Sequence, residues 1–106
     1  MELLVMEKHD GEGVFPLFKK GAAVQNVQPC EGTPHWCLCE IDGHKTYIAE
    51  TYLANNVLLR DYDPTELAAD KGQEVTLVDI VFEWLLVQNE SGKIGWLPAR
   101  KVVSVS

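Results

Sequence analysis

Ser91-Gly92-Lys93-Ile94-Gly95-Trp96-Leu97-Pro98 reads as a turn that launches a strand, and Asp42-Gly43-His44-Lys45-Thr46-Tyr47-Ile48-Ala49 repeats that pattern earlier in the chain. Gly43 and Gly92, Tyr47 and Trp96, Ile48 and Leu97, and Leu53 and Val102 all share one offset, 92 - 43 = 49. Upstream of the later copy stand Lys71-Gly72, Val75-Thr76-Leu77-Val78 and Glu83-Trp84-Leu85-Leu86-Val87. Upstream of the earlier one stand Lys20-Gly21, Val24, Val27 and Trp36-Cys37-Leu38-Cys39. Repetition at a fixed period sets the architecture before any single residue does.

Around these copies the apolar residues alternate or run in short blocks bounded by Gly, Pro, Asn and Asp, and no window sustains the i, i+3, i+4, i+7 stripe of a helix. The fold expected is therefore all-β. Strands are expected over 3–7, 22–28, 35–41, 45–49, 52–53, 57–60, 74–79, 84–88, 93–97 and 101–105. The one helical competitor, residues 64–71, is short and stops at Gly72. Asp42-Gly43 suits a two-residue hairpin, whose central positions need φ > 0, and Asn89-Glu90-Ser91-Gly92 a longer one.

The chain has 106 residues, and two repeats of about half that length imply two small β-barrels in tandem, over residues 1–54 and 57–106. Units near that size bury only about 60% of their unfolded surface. The intervening Ala54-Asn55-Asn56 is too short for independent tumbling, so the barrels are expected to pack together. The earlier copy has the longer loops, 29–34 before its tryptophan and 9–18 near its start.

Net charge is -7. Residues up to Asn56 hold 4 basic and 8 acidic side chains, and the remainder holds 9 - 4 = 5 and 16 - 8 = 8. Without a Lys/Arg cluster to neutralise phosphates, no nucleic-acid partner is expected. No segment approaches the ~20 apolar residues of a membrane helix, so no membrane partner is expected. Met1 to Glu7 lacks the basic start and long apolar core of a signal peptide, and three cysteines suit a reducing compartment better than a disulfide framework. The expected location is cytoplasmic.

Residues 57–105 resemble a Src-homology-3 (SH3) domain. Leu58-Leu59-Arg60-Asp61-Tyr62 stands where the family has its Ala-Leu-Tyr-Asp-Tyr strand, and Glu66-Leu67-Ala68-Ala69-Asp70-Lys71-Gly72 is similar to its acidic loop and diverging turn. Trp84 matches the first of the tryptophan pair, and Gly95-Trp96-Leu97-Pro98 with Val102 is similar to the Gly-Tyr-Ile-Pro strand and its valine exit. Residues 3–53 resemble the family more distantly, keeping Trp36, Tyr47-Ile48 and Tyr52 but putting Ala49 where the family has proline.

The resemblance implies a non-catalytic protein- or peptide-interaction module that takes proline-rich or other extended peptides on aromatic faces. By position, the implied peptide-binding residues are Tyr62, Glu66, Asp70, Trp84 and Pro98, with Trp36 and Tyr52 in the first copy. Two tyrosines of the family are replaced, by Arg60 and Lys101, which puts cations at the edge of the slot. Strand alternation points Leu85 and Val87 inward and Trp84 outward; it likewise points Cys37 and Cys39 inward and Trp36 outward. The alternative is a structural or oligomerisation unit whose tryptophans lie buried between barrels or subunits.

Cys30, His35, Cys37, Cys39 and His44 lack the paired spacing of zinc ligands, and Cys37 and Cys39 read as small buried hydrophobes. A Cys30 and His35 pair has no orienting third group visible in the sequence, and no phosphate loop, nucleophile elbow or His-Glu-x-x-His helix occurs. Neither a catalytic site, a metal nor a cofactor is expected.

Overall fold

In the computed structural model, residues 1–11 and 14–105 are described; Glu12 and Gly13 of the expected opening loop lie outside them. The described residues form ten strands: β1 (Glu2–Val5), β2 (Val24–Pro29), β3 (Trp36–Ile41), β4 (His44–Ala49), β5 (Leu53–Ala54), β6 (Val57–Leu58), β7 (Glu74–Val81), β8 (Trp84–Gln88), β9 (Ile94–Pro98) and β10 (Val102–Ser104). Two 3-10 turns, Glu50–Tyr52 and Ala99–Lys101, are the only helical elements among them. The chain is all-β, and residues 64–71 are not helical: His9 bridges Ala69, and Glu66 bridges Trp96 in parallel.

The chain divides into two compact units, but not at residues 54–57. One, the host, combines Met1–Val14 with Thr65–Ser106; the other, the insert, is Phe15–Pro64. In the host, antiparallel strands follow the order β10-β1-β7-β8-β9. β1 lies between β10 and β7, pairing Val5 with Val102 on one side and Leu3 with Val75 on the other. The insert has β2-β3-β4 as one sheet and β5-β6 as a hairpin, with Ala23 bridging Val57.

In Ala54-Asn55-Asn56, expected as a linker, Ala54 instead ends β5 and Asn55-Asn56 is the hairpin turn to β6. Asn55 (φ 51°) and Asn56 (φ 61°) are both left-handed, as a two-residue primed turn requires and asparagine tolerates. That turn folds Val57-Leu58 back onto Leu53-Ala54, so β6 closes the insert and cannot open the later copy. The host takes its first strand from the N-terminus.

Backbone bonds show the two units to be built alike. Leu58 donates to the Ala22 carbonyl (3.0 Å) and accepts from Gly21 (2.9 Å); Val5 donates to Gln73 (2.9 Å) and accepts from Gly72 (2.8 Å). Phe18 and Tyr62 exchange two bonds, as Ala69 and His9 do. Val5 to His9 and Leu58 to Tyr62 are both four residues apart. Trp36 opposes Ala49 and Trp84 opposes Pro98, and both β2 and β7 carry a bulge opposite the next strand. The shared pattern is a meander whose last strand returns to its first. The insert begins it one strand late.

Leu3, Val5, Leu67, Ala69, Val75, Leu85, Val87, Leu97 and Val102 form the host core. In the insert, Val24, Cys39, Ile41, Ile48 and Leu58 are buried at equivalent alternating positions. One host contact depends on a missing side chain: a Cβ on Gly95 would stand 2.8 Å from the Leu67 amide nitrogen and 2.9 Å from its Cβ. This closeness lets residues 65–67 lie along β9, with Leu67 donating to the Trp96 carbonyl at 3.0 Å and Trp96 to Thr65 at 3.2 Å.

Gly95→Ala is expected to cost about 1–3 kcal/mol, as overpacking against backbone does, measured by chemical denaturation. Deleting residues 1–10 removes β1, the strand that joins β10 to β7 in the host sheet. Amide exchange should then lose its protection across β7, β8 and β9 while β2, β3 and β4 keep theirs. A division at residues 54–57 would give the reverse.

Candidate functional site

In the host, His9 is held by its two backbone bonds to Ala69, and its ring lies between two charged side chains. Nε2 is 2.6 Å from Glu66 Oε1 and Nδ1 is 3.1 Å from Lys101 Nζ. An ammonium has only protons to give, so Nδ1 accepts from Lys101 and the Nε2 proton goes to the Glu66 carboxylate. Lys101 Nζ also donates to the Lys8 carbonyl at 3.2 Å. The His9 and Glu66 side chains are only 11% and 19% exposed, which limits screening by solvent.

The imidazole also meets Trp84 edge-on, with ring centroids 6.0 Å apart and planes at 73°. Trp84 opens β8 opposite the buried Pro98 and is half-buried, while Leu85 and Val87 face the core. Alternation along β8 thus follows the expected parity. Glu66 reaches the site because the Thr65–Leu67 segment is bonded along β9 beside Gly95. Asp70 is exposed at the following turn, where its amide bonds Gln73 Oε1. Of the residues implied by resemblance, the host therefore brings together Glu66, Trp84 and Pro98, with Asp70 further along the same segment.

Tyr62 does not belong to this unit. It lies in the insert, where its hydroxyl donates to the Tyr47 carbonyl at 2.6 Å and its ring meets Tyr52 edge-on at 5.4 Å. Arg60, expected to edge the Trp84 slot, sits instead over the Tyr52 ring, 4.5 Å from its centroid. Trp36, Tyr52 and Tyr62 are 7%, 6% and 4% exposed, so none offers a stacking face. Trp36 keeps its outward parity yet is covered, since parity fixes the side of the sheet and not whether that side is open. Its strand is tied to the long 29–34 loop by bonds from Cys30 to the Trp36 carbonyl and from Trp36 to Thr33.

His9 occupies in the host the place of Tyr62 in the insert. The resemblance, laid along the chain without a permuted strand, had no place for it. The legible signal was spacing: Val5 and His9 are four apart, as are Leu58 and Tyr62, and Ala69 and Gly72 are three apart, as are Phe18 and Gly21.

His35 Nδ1 lies 2.8 Å from Glu50 Oε1 on the surface of the insert, a carboxylate partner not foreseen for this histidine. The nearby thiols are not activated. Burial pushes the Cys37 thiol above its ordinary 9.0, with the negative charges of Glu50 and Cys30 adding to it. Burial, then Cys37, pushes Cys39 up to about 11. All three cysteines are free, and among the described residues no three His, Cys, Asp or Glu side chains converge as a metal site. Among the same residues no helix is long and apolar enough to cross a membrane.

Compared with known families, curated proteins and solved structures, the chain matches none.

At pH 8 the Cys39 thiolate should be about a hundredfold scarcer than that of an ordinary thiol, so iodoacetamide should modify it last, as read by mass spectrometry of the folded protein. Because the raised value favours the neutral thiol in the fold, its contribution to stability is complete below pH 9. It should be lost as pH rises from 9 toward 11.

Proposed function

We propose that the chain is a non-catalytic interaction module of two Src-homology-3-like units, one inserted in the other, which takes an extended peptide or protein segment on the Trp84 surface of the host. The sheet order β10-β1-β7-β8-β9 supports the fold-level part of this reading. A five-strand meander that returns its last strand to its first is the connectivity such a small barrel needs, and the insert has the same pairings with its first strand placed last.

One observation carries the functional part: Trp84 is only half-buried at a strand end, flanked edge-on by His9 and opposed by Pro98. An indole left partly open beside polar groups supplies apolar contact area at low entropic cost, the usual composition of an interface anchor. The insert favours the second reading, a structural unit, for its own half. Its three candidate aromatics are buried, and Tyr62 spends its hydroxyl on backbone.

Trp84→Ala should abolish capture of a native partner from lysate while lowering stability by no more than about 1 kcal/mol, the scale of a cross-strand pair. Trp36→Ala should cost about 3–5 kcal/mol, as emptied aromatic core sites do. Thermal denaturation of the two variants beside a pull-down separates the roles; a Trp84 variant as unstable as the Trp36 variant would assign both tryptophans to structure.

A further inference from the structure

The Trp84 surface has a charge pattern opposite to the one its family resemblance implies. An acid in the first loop would grip an arginine or lysine of the ligand; Asp70 is exposed at the turn further along that segment, and the acid at the Trp84 surface is Glu66. Its carboxylate is already taken, 2.6 Å from His9 Nε2. Two further acids are engaged with cations, Asp10 with Lys8 at 3.5 Å and Glu7 with Arg100 at 3.9 Å. Lys101 has no such partner: among the described residues no carboxylate lies within 4 Å of its ammonium. Its contacts are the neutral Lys8 carbonyl and the His9 ring.

Resting on the proposed function above, we infer that this surface selects an extended peptide bearing carboxylates and disfavours the arginine-bearing peptide. A cation held by two uncharged acceptors, one of them the imidazole that also meets the Trp84 indole, keeps its charge for a ligand and has its position fixed in advance. The net charge of -7 opposes an acidic partner only weakly. At physiological salt the Debye length is about 8 Å, so groups at the contact outweigh acids elsewhere on the surface. Glu83, next to Trp84 in the chain, has no cation within 4 Å among the described residues and is the local charge that works against the ligand.

The test titrates the whole chain, followed by amide and indole NMR shifts, with two synthetic peptides of equal length. One alternates proline with glutamate, the other proline with arginine. The glutamate peptide should shift Trp84, His9 and Lys101 and bind the more tightly. Lys101→Gln should weaken it about tenfold, in the range of a truncated charge contact, while the melting temperature stays within the spread of wild-type repeats. Lys101→Glu should reverse the preference, and Glu83→Gln should tighten glutamate-peptide binding.

Tighter binding of the arginine peptide at Trp84 would overturn the charge assignment and leave the interaction module standing. Binding of neither peptide would overturn it too, and the pull-down with Trp84→Ala then decides whether the broader reading falls as well. If Trp84 shifts with protein concentration alone, alongside dimer formation in sedimentation, the occupant is a second copy of the chain and the peptide assignment is wrong.

Discussion

The position of β1 between β10 and β7 is the constraint on which the host unit rests. Val5 pairs with Val102 and Leu3 with Val75, so a strand at the N-terminus must find partners separated from it by the whole insert. Without it the sheet would be cut into a lone β10 and a β7-β8-β9 meander, and the core of Leu67, Leu97 and Val87 would lose Leu3 and Val5. Closing so large a separation costs an entropy that grows only with the logarithm of loop length, and a compact insert makes the effective loop shorter still.

The same strand creates the candidate site. His9 follows Val5 by four residues and is set by its paired bonds to Ala69, so the β1 register determines where the imidazole stands. From there it takes Glu66 out of play and turns Lys101 toward neutral acceptors. Sheet topology and the charge arrangement around Trp84 are therefore linked: had a tyrosine occupied this place, as Tyr62 does in the insert, Glu66 would have lacked its imidazole partner and Lys101 one of its two acceptors.

Much of this was legible in the sequence. Period-two alternation located all ten strands to within two or three residues, and Asp42-Gly43 forms its hairpin with φ of 49° and 80°. Parity placed Leu85 and Val87 inside and left Trp84 at the surface. What failed was pairing: Leu3-Leu4-Val5 and Val57-Leu58 are both short apolar strands, and hydrophobicity alone does not say which sheet each completes. The decisive residues were Asn55 and Asn56, whose shared tolerance of the left-handed region makes a turn where composition suggested a linker. Trp36 keeps its expected side of the sheet but is covered, since alternation carries no information about what loops cover a face.

The two units spend equivalent positions differently. In the insert, Tyr62 fills the place of His9 with a ring that meets Tyr52 edge-on and a hydroxyl that satisfies a carbonyl, so the position is apolar, hydrogen-bonded and closed. In the host, a smaller ring with two nitrogens bridges a cation and an anion, and its edge leaves the indole of Trp84 partly open. A buried aromatic pair contributes area removed from water, whereas a half-buried indole forgoes part of that contribution. The insert, whose strands pair in the same pattern, keeps the equivalent position closed.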